Sequence, residues 1–135
     1  MSKVAVVYWS GTGSTEAMAK AVAQGAREAG ASVELSDVSS FKASSISAYD
    51  GVALGCPAMG AESLEDGEFE PFWDSVKAEL AGKKLVLFGS YGWGDGEWMR
   101  KWEEDAGDVL GSYICIETPG PDEEAECKAL GAKLA

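Results

Sequence analysis

Short apolar runs divide the chain into regularly spaced segments. Mainly apolar runs of five residues occur at 4–8, 51–55 and 84–88, and such runs are typical of strands that are covered on both faces of a parallel sheet. Residues 33–36 alternate apolar and polar side chains, which predicts an edge strand. A fifth strand is predicted at 112–116. The pattern therefore indicates a sheet of five strands.

Apolar residues at helical spacing fill most of the gaps between these runs. The predicted helices cover residues 16–30, 69–82, 96–108 and the chain from Asp122 onward. The serine-rich stretch 37–49 predicts only a short helix, with Phe41 and Ile46 as its inward-facing residues. The alternation of strands and helices predicts an α/β fold, a doubly wound five-stranded parallel sheet with helices on both faces, in a single domain over residues 1–135.

The charge balance limits the partners that the protein can bind. The 135 residues include 11 Lys and Arg and 23 Asp and Glu, a formal net charge of −12. Such a field opposes binding to nucleic acid and to anionic membranes, and it favours partners with basic docking surfaces. The start of the chain is too short for a signal peptide and no apolar run approaches the length of a membrane span. We therefore expect a cytoplasmic protein, and we expect it to be a monomer.

Cysteine and histidine usage argues against a metal site. The three cysteines, Cys56, Cys115 and Cys127, are widely spaced, and the chain contains no histidine. Neither a disulfide framework nor a metal-ligand spacing follows from this pattern. We expect three free, mostly buried thiols and no metal.

The segment Ser10–Thr15, here called the anion loop, joins the first predicted strand to the first predicted helix. Its sequence is Ser-Gly-Thr-Gly-Ser-Thr, and backbone N–H groups at a helix start form a natural anion site. The loop contains no Lys or Arg, so neutral donors would hold a fully charged group such as a phosphate monoester. The nucleotide-binding loops fit poorly, since there is no Gly-Lys-Ser/Thr end and Glu16 stands where the dinucleotide pattern has a third glycine. An ordinary strand-to-helix turn remains the alternative.

Two further loops combine glycine with large apolar side chains. Residues 55–62 follow the third predicted strand and carry Met59, whereas residues 89–96 follow the fourth and carry Trp93. Glycine allows close approach of the backbone to a ligand, Met offers a polarisable surface and Trp a flat one. Together the two loops indicate a slot for a planar aromatic ring system. The alternative is that Met59 and Trp93 cover local hydrophobic clusters.

Three motifs of this chain resemble those of short-chain flavodoxins, a family of small FMN-binding electron carriers. Residues 8–16 resemble the loop that holds the FMN 5′-phosphate. Residues 59–62 resemble the loop against the inner face of the isoalloxazine, and residues 90–94 resemble the loop that stacks Trp on its outer face. The likeness covers nearly the whole chain and implies the strand order 2-1-3-4-5.

The resemblance assigns roles residue by residue. It places Met59 on the inner flavin face, the Gly60 carbonyl near N5, the Glu62 carboxylate at N3 and Trp93 on the outer face. The cofactor-binding residues that it implies are Ser10, Gly11, Thr12, Gly13, Ser14, Thr15, Pro57, Ala58, Met59, Gly60, Ala61, Glu62, Ser90, Tyr91, Gly92, Trp93 and Gly94.

The function implied by the resemblance is electron transfer without a substrate of its own. The expected protein is a low-potential one-electron carrier that uses non-covalently bound FMN in its quinone, semiquinone and hydroquinone states and shuttles electrons between redox proteins such as reductases. A flavin-dependent NAD(P)H:quinone reductase on the same fold is the alternative, although it needs a basic contact for a pyridine nucleotide. A receiver-like module is disfavoured because Trp9-Ser10 and Cys56-Pro57 stand where acidic residues would be needed.

Overall fold

The computed structural model describes residues 2–11, 13–59, 64–92 and 96–135. Its five strands are β1 Lys3–Tyr8, β2 Ser32–Asp37, β3 Gly51–Gly55, β4 Lys84–Tyr91 and β5 Gly111–Ile116. Its four α-helices are α1 Ser14–Glu28, α2 Phe69–Val76, α3 Glu97–Ala106 and α4 Pro121–Ala132.

All five strands are parallel and lie in one sheet in the order β2-β1-β3-β4-β5. The predicted strand order and the predicted edge position of β2 are therefore confirmed. β1 pairs with both β2 and β3, with Tyr8 opposite Asp37 on one side and Gly55 on the other. The connection from β1 to β2 and the connection from β3 to β4 therefore run in opposite directions across the sheet. In doubly wound folds ligands bind beyond the carboxyl ends of the strands at such a switch point.

Helices cover both faces of the sheet, as the continuous apolar runs predict. Alternate residues of the central strands face opposite sides, since successive side chains of a strand point in opposite directions. Val4, Val6 and Phe88 belong to the core beneath α1 and α4, whereas Ala5 and Leu87 belong to the core beneath α2 and α3. The sheet is therefore rigidly held, and the loops at its carboxyl edge project from a fixed platform.

The stretch 37–49 forms 3₁₀ turns instead of the predicted short helix. The turns cover Val38–Ser40 and Ala43–Ala48. The Asp37 carboxylate accepts a 2.8 Å bond from the Ser39 N–H and a 2.7 Å bond from the Ser39 hydroxyl. Local bonds of this kind compete with a regular helix. The predicted inward anchors Phe41 and Ile46 are buried, as expected.

Several other predicted boundaries move by a few residues, three of them at or near the carboxyl edge of the sheet or in α2. α1 begins at Ser14 instead of Glu16, so the anion loop supplies the first helical residues. The helix predicted at 69–82 is α-helical only as far as Val76 and continues as a 3₁₀ turn over Lys77–Leu80. β4 continues to Tyr91, so Gly89, Ser90 and Tyr91 lie in a strand and not in the predicted loop.

Candidate functional site

A cleft of about 520 Å³ lies at the carboxyl edge of the sheet, where β1, β3, β4 and β5 end. This volume is in the range of small-molecule sites. The described residues that line it are Trp9, Gly11, Ser14, Pro57, Ala58, Met59, Ser90, Tyr91, Gly92, Glu117 and Thr118. None of these lining residues is Lys or Arg.

One end of the cleft is formed by the anion loop and the start of α1. Gly13 precedes the helix with φ 96°, a left-handed conformation that glycine adopts without steric cost. The Ser10 hydroxyl accepts a 3.0 Å hydrogen bond from the Gly13 N–H and so fixes the turn. The N–H groups of the first helical turn have no partners within the helix and carry the positive end of its dipole. This end of the cleft is therefore suited to an anion.

An acidic residue lies close to this anion site and is held by a tyrosine. The Tyr8 hydroxyl donates a 2.9 Å hydrogen bond to the Glu16 carboxylate, which lies in the first turn of α1. Burial, together with the hydrogen bond to Glu16 and its charge, raises the pKa of Tyr8 to about 12. The phenol therefore stays protonated at neutral pH and keeps the Glu16 carboxylate engaged.

Two pairs of hydroxyl groups connect the anion loop to the neighbouring strand ends. The hydroxyls of Thr15 and Ser90 are buried and hydrogen-bonded at 2.8 Å, which joins α1 to β4. The hydroxyls of Ser14 and Thr118 are 3.2 Å apart and join α1 to the segment after β5. The start of α1 is thus fixed from two sides.

The other end of the cleft is mainly apolar and follows β3. Pro57, Ala58 and Met59 line it, and the Ala58 N–H donates a 3.0 Å bond to the Ser90 carbonyl. The Trp98 indole donates a 3.2 Å bond to the Cys56 carbonyl from beneath. These bonds hold the backbone of 56–58 against β4 and α3, which leaves an apolar slot beside the anion end.

The cysteines of the described structure are free thiols in the protein interior, as predicted. Cys56, Cys115 and Cys127 are all buried and unpaired with one another. Burial raises the pKa of the Cys56 thiol to about 12, so it is protonated at neutral pH. Burial and protonation therefore disfavour a nucleophilic role for Cys56.

The third wall of the cleft combines β4 with the residues after β5. The ring of Tyr91 lies against Trp98, with ring centroids 5.6 Å apart. The Glu117 N–H donates a 2.8 Å bond to the Tyr91 carbonyl. Glu117 has φ 57° and is the one residue other than glycine with a positive φ in the described part of the chain.

The structure brings about half of the predicted site residues together at the cleft. Those that line it are Gly11, Ser14, Pro57, Ala58, Met59, Ser90, Tyr91 and Gly92. Ser10, Gly13 and Thr15 shape the anion loop from within without lining the cleft. The predicted residues Thr12, Gly60, Ala61, Glu62, Trp93 and Gly94 lie outside the described residues.

Three lining residues, Trp9, Glu117 and Thr118, were not among the predicted site residues. Trp9 lies directly before the anion loop, and its side chain could equally have belonged to the core. Glu117 and Thr118 follow β5, and the rule that ligands bind at the carboxyl ends of strands applies to that strand too. The composition of the segment after β5 contained no comparable signal.

The part of the chain that the structure describes has neither a helix suited to a membrane nor a cluster of metal-ligating side chains. No helix there combines the length and the apolar character that a bilayer crossing requires. The same residues contain no group of three or more acidic or cysteine side chains placed to hold a metal ion.

Sequence comparison links the whole chain to one family. A family model described as flavodoxin matches residues 6–131. The chain is 48% identical to a flavodoxin of Megasphaera elsdenii, with 98% of each chain covered. It is 46% identical to a flavodoxin of Clostridium beijerinckii, over 96% of this chain and 97% of the relative.

Comparison with solved structures agrees with the sequence comparison. The solution structure of two-electron reduced Megasphaera elsdenii flavodoxin superposes with a TM-score of 0.87 at 44% identity, covering 96% of this chain and 98% of the other. A flavodoxin from the domain Archaea gives a TM-score of 0.87 at 27% identity, covering 98% and 96%. The chain therefore belongs to the flavodoxin family, as one of its short-chain members.

Proposed function

We propose that this protein is a low-potential one-electron carrier that binds one FMN non-covalently in the cleft at the carboxyl edge of its sheet. Flavodoxins bind FMN and transfer electrons to redox partner proteins. FMN, when bound, supplies the redox chemistry by accepting and releasing electrons one at a time. The protein supplies binding, orientation and the electrostatic environment.

One observation carries this proposal. A single cleft contains an anion site formed by uncharged donors and, directly beside it, an apolar slot. The anion end has a helix N-terminus preceded by a left-handed glycine, and the slot end is lined by Pro57, Ala58 and Met59. FMN has the matching shape, with a charged monoester at one end and a planar ring system at the other. The donors and the slot therefore fit the cofactor.

The lining residues divide into two roles. Gly11 and Ser14, with the N–H groups of the first turn of α1, would hold the 5′-phosphate, and Ser10 and Thr15 would keep that turn in shape. Met59 and Tyr91 would lie along the ring system. The assignments of Thr12, the 60–62 segment and the 93–94 segment rest on the family resemblance.

The acidic surface supports partners with basic docking surfaces. A formal net charge of −12 steers a carrier toward a positive rim and raises the rate of encounter at low ionic strength. A monomer that acts in the cytoplasm is the simplest form of such a carrier. An NAD(P)H:quinone reductase is not favoured, since none of the described lining residues is Lys or Arg.

Comparing FMN with riboflavin tests the proposal. Removal of the phosphate leaves several anion-directed N–H groups without a charged partner. Charge-assisted hydrogen bonds contribute about 1.5–3 kcal/mol each, so the net loss of only one or two of them already makes riboflavin bind at least about 100-fold more weakly than FMN. Fluorescence titration of the flavin-free full-length chain measures both dissociation constants.

A matched pair of serine variants controls this experiment. Ser14→Ala should reduce the preference for FMN several-fold, whereas Ser44→Ala changes an exposed serine away from the cleft and should leave the preference unchanged. Equal affinities of the unmodified protein for FMN and riboflavin would contradict the assignment of the anion loop.

A further inference from the structure

Trp9 forms a wall that the anion end and the slot end of the cleft share. Its backbone N–H donates a 3.0 Å bond to the Gly55 carbonyl at the end of β3. Its ring lies so close to Gly11 that a Cβ on that glycine would be 3.1 Å from the ring carbon Cη2. The position of the indole is therefore linked sterically to the backbone of the anion loop.

The turn 65–69, which leads into α2, is a compact unit built around one carboxylate. The Glu65 carboxylate accepts hydrogen bonds of 2.7–2.8 Å from the N–H groups of Gly67, Glu68 and Phe69. The Glu65 N–H in turn contacts the Cys56 sulfur at 3.4 Å. The turn 65–69 is thus tied to the residue at which the slot segment begins.

One hydrogen bond joins these two units. The Trp9 indole Nε1 donates to the Glu68 carboxylate at 3.2 Å. Trp9 and Glu68 are 59 positions apart in sequence, and Trp9 also lines the cleft. The bond therefore connects the anion loop with the turn that anchors the slot.

We propose that Trp9 and Glu68 are positioning residues that couple phosphate binding in the anion loop to flavin-ring binding in the slot. An anion that orders Gly11 restricts the indole packed against it. The ordered indole holds Glu68 and, through the turn, the segment that begins at Cys56. Because a coupling free energy is reciprocal, an anion must then raise the affinity for the ring by the same factor as the ring raises the affinity for the anion.

This inference rests on the proposed function, and its test separates the two ligand parts. The coupling factor is the dissociation constant of riboflavin without inorganic phosphate divided by its value at saturating phosphate, measured on the flavin-free full-length chain. For a hydrogen bond with one exposed partner we expect a factor of about three- to fivefold. Trp9→Phe keeps a ring but removes the donor, and Glu68→Ala removes the acceptor. Each should bring the factor close to one, and the double variant should lower it no further.

Glu68→Gln supplies the matched control, since its amide oxygen can still accept the indole N–H. It should retain most of the coupling. Thermal unfolding of each variant verifies that it is folded. An unchanged coupling factor in Trp9→Phe and Glu68→Ala would overturn the inference, even if both bind riboflavin more weakly, because that result describes a purely structural role. Failure of the unmodified chain to bind FMN would instead overturn the proposed function.

Discussion

Glu117 combines backbone strain with a negative charge at the wall of the cleft. Its φ of 57° is left-handed, a conformation that costs a residue with a Cβ about 1–2 kcal/mol. The hydrogen bond from its N–H to the Tyr91 carbonyl holds the residue in this conformation at the cleft wall. Strained residues of this kind concentrate at functional sites.

Two variants of Glu117 separate strain from charge. Glu117→Gly should stabilise the flavin-free protein by about 0.5–1 kcal/mol because glycine accepts the left-handed angles. Glu117→Gln should leave stability nearly unchanged. Both remove a negative charge, and at about 10 Å with an effective dielectric of about 40 this should raise the redox potentials of the bound cofactor by about 30–40 mV. Urea unfolding and redox titration measure the two effects, and a rise confined to the Gly variant would show that charge is not responsible.

The residues of the site differ in how far the sequence could predict them. The chemistry of the anion loop follows from local composition, which predicts a tight turn and a helix start, and the structure adds that Gly13 adopts left-handed angles there. The Trp9 indole is hydrogen-bonded to Glu68, a residue 59 positions away. A local sequence pattern cannot reveal such a contact. Glu117 has a left-handed backbone conformation that is normally found at glycine, so its residue type gave no indication of that conformation.

Helices α1 and α4 pack closely at two glycines, each of which lies directly against the backbone of the other helix. A Cβ on Gly131 would overlap the Val22 carbonyl oxygen, and a Cβ on Gly25 would overlap the Lys128 carbonyl oxygen. Glycine normally weakens a helix by about 1 kcal/mol relative to alanine. Here the absence of a side chain allows the two helices to approach each other closely.

Gly131→Ala should therefore destabilise the protein, against the helix propensity of alanine. Overpacking of a tight interface costs about 1–3 kcal/mol, and chemical denaturation measures the change in unfolding free energy. Ala132→Ser, one residue further on and exposed, should change it by no more than about 0.5 kcal/mol. A more stable Gly131→Ala protein would show that the helices can separate without loss.

A hydrogen bond between α2 and α3 makes stability depend on pH. The Trp73 indole donates a 2.6 Å bond to the Asp105 carboxylate. This hydrogen bond lowers the pKa of Asp105 and outweighs the opposing effect of burial, and the nearby Lys77 ammonium lowers that pKa further. The native pKa lies below the unfolded one, so the contribution is complete above the ordinary carboxyl pKa and is lost as the pH falls through the native value.

Asp105→Asn should consequently have a lower thermal midpoint than the unmodified protein near neutral pH. The difference between the two midpoints should decrease in acid. For a partly exposed interaction of about 0.5–1 kcal/mol we expect a deficit of about 2–4 °C at pH 6, which should shrink steadily as the pH falls below the ordinary carboxyl pKa. Trp73→Phe keeps an aromatic ring in place and should flatten the same pH dependence. A deficit that is constant across this pH range would contradict the assignment to Asp105.

The helices and strands were predictable to different degrees. The continuous apolar runs identify β1, β3 and β4, because a buried parallel strand needs apolar residues on both faces, and the alternating pattern at 33–36 identifies the edge strand β2. The stretch 37–49 was the least predictable, since it begins with local bonds between Asp37 and Ser39 that the spacing of apolar residues does not reveal. β4 continues to Tyr91 through pairing with β5, a tertiary interaction that extends a strand past the glycine where the pattern predicts a loop.

On the surface formed by the described residues, two large apolar side chains are exposed at opposite ends of β5. Ile116 is 62% exposed at the carboxyl end, beside the cleft-lining Glu117, and Leu110 is 49% exposed just before the other end. Interfaces commonly place an apolar contact inside a charged rim. If partners dock over the cleft, only Ile116 can lie in their interface.

Ile116→Ser should slow electron transfer from the reduced FMN-loaded protein to a basic cytochrome c by several-fold, whereas Leu110→Ser should not. Stopped-flow mixing measures the second-order rate constants, and rates for all proteins should fall as ionic strength rises. A small inorganic acceptor tests for any change in driving force and should react equally with both variants. Equal slowing by the two substitutions would place the docking surface elsewhere.

A spectroelectrochemical titration of the FMN-loaded protein tests the central claim most directly, namely that the chain is a one-electron carrier. Its cleft and its net charge of −12 predict two separate one-electron steps, with the second at a more negative potential than that of free FMN, because adding negative charge beside fixed carboxylates is unfavourable. The same preparation should not consume NADPH. A single two-electron step at the potential of free FMN would contradict the account.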